Sequence, residues 1–333
     1  MGRHYYFLLI SVFLLFRLQA DAQKKYSFSQ AKMGSEMIIT VDAIDTTGLS
    51  KSIFEAYQLT DDLVKIFSDY DPDSELNKVN LAPAHKPIKI SSEMMILLAM
   101  SQDAFRQSGG AFDITLGKLT KAWRRTKATG IITHPDTLSW YKLYTGSHQF
   151  TIHPPENVLI KMNNQFDFDL GGIAKGYIAD KVSKFLNASG WERHLIDAGG
   201  DMVAGDPPTG SCGWKIALEL PNKNEVLQRV LCIKNQAVAT SGSTYQHYIV
   251  GHETYSHIIQ PKSGLGMSKT DNVTVIAPTG ADADWLATAC SVLSWQKSKS
   301  LIKQFPSSTL IVTLTEVKNR DHRFAGKKIK FLK

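Results

Sequence analysis

The sequence predicts an α+β fold with mixed or antiparallel sheets rather than a doubly wound parallel sheet. Three observations lead there. Short β-rich runs, "VLIKM", "FDFDL", "RHLID", "WKIALEL", "RVLCI" and "NVTVIA", fill the chain from Asn157 onward and are broken by Gly, Asn and Pro. Two helical stretches, Ile173 to Leu186 and Ala281 to Trp295, interrupt them without regular βαβ alternation. Earlier in the chain, by contrast, the two stretches Leu49 to about Phe67 and Ser92 to Gln107 show helical spacing.

The first expected element is a strand over Met37 to Val41. A helix follows from Leu49 to about Phe67, its apolar stripe carried by Ile53, Tyr57, Val64 and Phe67. The turn "YDPDSELN" ends it. Ser91 or Ser92 caps a second helix that runs to Gln107, and Gly109-Gly110 stops it. The stretch from there to about His153 reads as long and less regular. The Ile173 helix closes at Gly190. "TYSHIIQPKSG" places His257 at the end of a strand, ahead of a Pro-Gly loop.

With 333 residues, 43% hydrophobic and 21% charged, the chain can bury a substantial core. Arg3 and His4, the apolar run from Tyr5 to Phe16 and then Ala20-Asp21-Ala22 read as a secretory signal over 1–22, cleaved before Gln23. An uncleaved anchor is the alternative. No cysteine lies near enough to serve as a lipid-modified N-terminus, so an exported, periplasmic protein is expected. Its three cysteines lack the C-x-x-C spacing of a zinc or redox site. Cys290 reads as core, and Cys212 and Cys232 could pair across neighbouring strands, which sequence does not decide. The net charge of +7 is spread out and lacks interleaved stacking aromatics, which argues against nucleic acid and leaves a field that favours anions.

Three segments carry candidate chemistry. In "FDFDLGGIAKGYIAD", Asp167 and Asp169 alternate with Phe166 and Phe168, so the carboxylates share one face of a strand. Gly171 and Gly172 permit close backbone approach to a ligand, and the helix N-terminus beyond them favours negative charge. It is neither a Walker loop nor G-x-G-x-x-G, and a plain strand-turn-helix corner accounts for it equally well. "DAGGD" (Asp197 to Asp201) reads as a tight hairpin. In "ADADWLATACSVL", Asp284 and Thr288 lie one helical turn apart, a placement that suits Mg²⁺. A dipole-favoured acid and a backbone-bonded threonine form the competing reading. His257 is placed to accept a proton from a hydroxyl, though nothing local separates it from the other histidines.

Taken in order, "KMGSEMIITV", "YDPDSELNKVN", "GGAFDITLG", "DLGGIAKGYIAD", "DAGGD", "ATSGSTY", "HIIQPKSG" and "ADADWLATA" resemble the ApbE-type flavin transferases, the FAD:protein FMN transferases. The resemblance covers nearly all of 23–333. It implies one such domain, or two subdomains with a boundary near 150 and the site between them. It also implies Mg²⁺-dependent transfer of FMN from FAD to a Thr or Ser hydroxyl of an acceptor protein, with release of AMP. Met33, Tyr70, Ala111, Phe112, Asp113, Asp169, Lys175, Ile258 and Ile259 would line the FAD site. Asp284 and Thr288 would hold the metal, joined by the backbone carbonyl of Gly172, and His257 would be the base.

The chain departs from the pattern at three places. Gln260 replaces the usual aspartate, Arg124-Arg125 replaces a glycine-containing continuation after Trp123, and Ala287 stands where some members carry a further acid. The rim near Ala111-Phe112-Asp113 is therefore expected to differ, and the metal shell to be leaner. No S-G-A-T or D-G-A-T acceptor stretch occurs within the chain, so transfer in trans is expected, with a redox-complex subunit as the kind of acceptor. Membrane contact is expected only through an uncleaved signal or a membrane-bound acceptor. The alternatives are a Mg²⁺-dependent FAD pyrophosphatase, in which water replaces the hydroxyl, and a non-catalytic flavin carrier.

Overall fold

The computed structural model describes residues 24–221, 226–242, 247–250, 253–268, 271–313, 322–327 and 331–332. The expected signal over 1–22 and part of "ATSGSTY" lie outside them.

The chain begins with β1 (Lys24–Lys32) and β2 (Ser35–Ala43), then α1 (Leu49–Phe67), α2 (Glu75–Leu81), β3 (Ile88–Lys89) and α3 (Ser92–Ser108). Next come α4 (Gly117–Thr129), α5 (Pro135–Lys142), β4 (Phe150–His153), β5 (Val158–Lys161) and α6 (Ala174–Ala188). The strand-rich part holds β6 (His194–Ala198), β7 (Met202–Ala204), β8 (Trp214–Pro221), β9 (Val226–Ile233), β10 (Gln236–Ser241), β11 (His247–Val250), β12 (Glu253–Ser256) and β13 (Asn272–Ala277). It closes with α7 (Gly280–Val292), α8 (Trp295–Ile302), β14 (Thr309–Thr313), β15 (His322–Gly326) and β16 (Phe331–Leu332).

Eight strands form the main sheet in the order β1-β2-β6-β7-β10-β13-β14-β15. The pairings between these strands are antiparallel, as an α+β fold requires. Strand alternation divides its buried residues between two faces. Val203, Ala237, Ala239, Val273 and Val275 join the large core under α1, α6 and α7. Ala204, Val238, Ile276 and Ile311 face the other way and pack against Trp214, Ile216, Leu231 and Ile233 of the β8–β9 hairpin. Cys212 and Cys232 are disulfide-bonded at the base of that hairpin, which settles the pairing that sequence left open. Cys290 is buried as expected. Among the described residues no helix is long and apolar enough to cross a membrane.

The helix over Leu49–Phe67 matches its expected span, and Ser91 caps α3 by accepting from Met94 N–H at 3.1 Å. Gly109 ends α3 with a left-handed φ of 62°. Four expectations need correction. Residues 109–153 are not irregular but contain α4 and α5, because Leu119, Ala122, Trp123 and Thr126 form a narrow buried stripe on an otherwise polar helix. The "YDPDSELN" turn runs straight into α2, capped by Ser74. The stretch over Ala281 to Trp295 is two helices, since Leu293 and Ser294 are extended and end α7 before α8 begins. "FDFDL" is extended but pairs only through a single bridge between Leu116 and Asp167, so it is no strand of a sheet.

Candidate active site

The site is built where α6 crosses α7. A Cβ on Gly176 would stand 2.1 Å from the Gly280 carbonyl oxygen, so only glycine allows the two backbones to approach this closely. Asp180, one turn along α6, accepts from the N–H groups of Gly280 and Ala281 at 2.6 and 3.0 Å and so caps α7. Burial pushes its carboxyl up to about 6 despite those bonds.

That crossing brings the glycine turn against the metal-type pair. Gly176 N–H donates to Oδ2 of Asp284 at 3.2 Å. A Cβ on Gly172 would lie 3.1 Å from Thr288 Oγ1 and 3.2 Å from the Phe112 ring. Ser241, at the end of β10, places its Oγ 3.3 Å from Thr288 Oγ1. Asp284 is 4% exposed, and burial first, then the Asp201 carboxylate, push its carboxyl well up against the pull of Lys175.

Lys175 lies 2.6 Å from Oδ2 of Asp201, which is 5% exposed. Burial alone would push the Lys175 ammonium down, but Asp201 and then Asp284 outweigh it and hold it well above the ordinary lysine value. Asp201 sits in the hairpin that "DAGGD" predicted, where Ala198 N–H donates to the Asp201 carbonyl at 2.8 Å. Burial pushes Asp197 up as well, although it accepts from Gly200 N–H. Lys175 is thus ringed by carboxylates rather than standing free over a turn.

Asp167 and Asp169 do share a face, and that face meets α4. Asp167 pairs with Lys121 at 2.7 Å, and Asp169 with Arg124 at 3.5 Å. Asp169 also accepts from Gly171 N–H at 2.8 Å, which shapes the turn. Arg124 reaches onward to Asp69 at 2.5 Å and stacks on Tyr70 at 4.2 Å from the ring centroid. The Arg124 departure therefore acts at Tyr70 and at Asp169, whose N–H donates to the Ile114 carbonyl at 2.8 Å beside the Ala111-Phe112-Asp113 trio.

Within that trio, Ala111 and Phe112 are buried, and Phe112 packs edge-on against Trp285. Asp113 turns its carboxylate to Thr115, accepting from its N–H and Oγ at 2.8 and 2.6 Å. Its carboxyl is raised by burial in spite of them. Met33 takes a left-handed φ of 53° at the tip of the β1–β2 turn, where it packs on the core. The same turn meets "DAGGD", since a Cβ on Gly199 would lie 2.2 Å from Ser35 Oγ.

The His257 segment is pinned to α4. Trp123 Nε1 donates to the Ser256 carbonyl at 3.1 Å, and Ile259 buries its side chain among Leu116, Leu119 and Trp123. Ile258 and Gly266 are tied to the same loop, which closes through Met267 N–H to Ile258 O at 2.8 Å. His257 and Ile258 stay half-buried at its start. A cleft of about 550 Å³ opens between Gly110-Ala111, Gln260-Lys262 and the Leu293-Lys297 junction; its lining carries Lys262 and Lys297 and no acid.

The candidate cation set fits a hard metal on its own chemistry. Asp284, Thr288 and Ser241 supply oxygen donors, and the glycine at 172 leaves the backbone against Thr288 where a side chain would intrude. Ala287, fully buried, adds no second acid to Asp284. Asp201 and Ser241 were not among the residues predicted for the site. Their motifs were visible, but only the packing of β7 and β10 beneath α6 and α7 brings them to Lys175 and Thr288.

The chain matches the ApbE family over residues 33–312. It is 27% identical over 316 residues to the FAD:protein FMN transferase of Chlamydia muridarum (strain MoPn / Nigg), covering 90% of this chain and 97% of that relative. It is 26% identical over 279 residues to the protein of the same description from Escherichia coli (strain K12), covering 82% and 79%. The Pseudomonas stutzeri flavinyl transferase ApbE, in its apo form, superposes with a TM-score of 0.77 at 26% identity over 92% of this chain and 95% of that one. The Vibrio cholerae flavin transferase ApbE shares the fold, with a TM-score of 0.80 at 24% identity over 91% and 96%. The family match spans every segment assembled at the α6–α7 crossing, and this chain belongs to the ApbE family.

Proposed function

We propose that this chain transfers the FMN half of FAD to a Thr or Ser hydroxyl of an acceptor protein and releases AMP. The observation that carries the reading is the meeting of Gly172, Asp284, Thr288 and Phe112 from three distant segments. The relatives named FAD:protein FMN transferase support the same activity.

Mg²⁺, held by Asp284, Thr288 and the Gly172 carbonyl, would neutralise charge on the diphosphate oxygens. His257 takes the proton of the acceptor hydroxyl as its oxygen attacks the FMN phosphorus. The bond between that phosphorus and the bridging oxygen breaks, and AMP leaves with the oxygen and its electron pair. Lys175, fixed by Asp201, presents a permanent positive charge to the dinucleotide. Tyr70, Asp169, Met33, Ile258 and the trio at Ala111 line the nucleotide's path. Lys262 and Lys297 make the adjoining cleft attractive to an anion.

Export to an oxidising compartment fits the same account, since the Cys212–Cys232 bond persists where thiols are not kept reduced. The test is incubation with FAD, Mg²⁺ and secreted or membrane redox subunits of the source organism that carry S-G-A-T or D-G-A-T. A flavin-fluorescent acceptor band that survives denaturing electrophoresis is expected, and it should vanish with His257→Ala or Asp284→Ala. Free FMN and AMP formed at the same rate without any acceptor would favour hydrolysis instead.

A further inference from the structure

Arg124 ties together three elements that the site needs. It rises from α4 with one guanidinium nitrogen 2.5 Å from Asp69 and another 3.5 Å from Asp169, and its Cζ lies over the Tyr70 ring, 4.2 Å from the centroid. Asp69 and Tyr70 belong to the turn after α1, and Asp169 to the segment before α6. The two acids are nearly enclosed, with side chains 8% and 14% exposed, whereas Tyr70 is 76% exposed. The ring is therefore braced from one side by a cation and open to solvent on its remaining surface.

Charge makes the second contribution. Asp69 and Asp169 set two carboxylates beside Tyr70, and on the proposed reading that Tyr70 and Asp169 face FAD they meet a ligand that is itself an anion, which like charges in one partly buried site repel strongly. Lys121, one turn earlier on α4, is already paired with Asp167 at 2.7 Å. Arg124 is the cation in direct contact with both acids and reduces their local charge from two negatives to one, and its planar fork can meet both while it lies over the ring, which a lysine cannot do equally well.

We infer that Arg124 is a specificity-determining residue for the nucleotide: it admits the diphosphate past Asp69 and Asp169, and it braces Tyr70 as a platform for a planar heteroaromatic ring. The inference rests on the reading that Tyr70 and Asp169 face FAD.

The test is equilibrium FAD binding to the full chain by calorimetry, with Mg²⁺ present, at low and high KCl. Wild type should bind FAD, with affinity unchanged or weakened by salt. Arg124→Gln should bind about tenfold more weakly at low salt, the size of one unscreened charge at this range. Its affinity should then rise with salt, because loss of the guanidinium that covers the two carboxylates opens them to screening ions. That reversed slope is something a merely structural role would not produce. Arg124→Lys should keep the wild-type slope. Asp69→Asn, which needs no unpaired buried charge, should bind several-fold more tightly at low salt, and adding it to Arg124→Gln should restore affinity to within about threefold. Equal affinities and salt slopes for wild type, Arg124→Gln and Asp69→Asn overturn the inference while leaving the FAD site intact. A wild-type chain that does not bind FAD overturns the site reading, and this inference with it.

Discussion

Lys175 and Asp201 are an unequal pair: the acid side chain is 7% exposed and the ammonium side chain 34%. Removing the acid leaves a cation whose remaining neighbours, Asp284 and Asp197, lie farther off. Asp201→Asn should therefore cost about 2 kcal/mol of stability, less than a fully buried broken pair because solvent reaches the lysine. Adding Lys175→Met should return most of that loss, as measured by urea unfolding. His194 offers a second residue-scale test. It is fully buried, with Nδ1–H donating to the Trp191 carbonyl at 2.7 Å and Nε2 accepting from Ser183 at 2.8 Å. Burial depresses its pKa below the ordinary histidine value, so at mildly acidic pH the unfolded chain binds a proton that the folded chain refuses. Stability should be intact above about pH 6.5 and fall as pH drops below it, and His194→Gln should flatten that slope in denaturation curves.

At the scale of elements, the α6–α7 crossing sets the site. Gly176→Ala would drive a methyl group to 2.1 Å from the Gly280 carbonyl oxygen. The helices must separate, at a cost of roughly 1–3 kcal/mol, and affinity for the proposed Mg²⁺ should fall in the same variant because Gly176 N–H orients Asp284. Melting and Mg²⁺ titration together check this. Helix α1 was legible because Ile53, Tyr57 and Phe67 are large and regularly spaced. Helix α4 was not, because Lys118, Lys121, Arg124 and Arg125 surround a stripe of few large side chains. Strand β1 escaped notice for a related reason: its residues are exposed or half-buried, so its alternation carries little hydrophobic contrast. Asp284 and Thr288 were legible as a pair by helical spacing, whereas Asp201 reaches Lys175, and Ser241 reaches Thr288, only through the sheet.

For the whole molecule, the β8–β9 hairpin closes the second face of the main sheet, and the Cys212–Cys232 bond ties its ends across a sequence separation of 20. Reduction, or Cys212→Ser with Cys232→Ser, should lower stability by about 3 kcal/mol, with guanidinium unfolding as the measure. The α+β class was readable from strand-rich runs without βαβ rhythm. The meeting of Gly172 with Phe112 and Thr288 was readable only through family resemblance, because no spacing rule links residues 172 and 288.

That convergence yields the most direct test of the proposed activity: intact-protein and peptide mass spectrometry of an S-G-A-T- or D-G-A-T-bearing acceptor after incubation with the chain, FAD and Mg²⁺. The account predicts one FMN added to a Thr or Ser of the acceptor, with AMP formed in equal amount and no addition in His257→Ala. An unmodified acceptor alongside catalytic release of free FMN and AMP would contradict it.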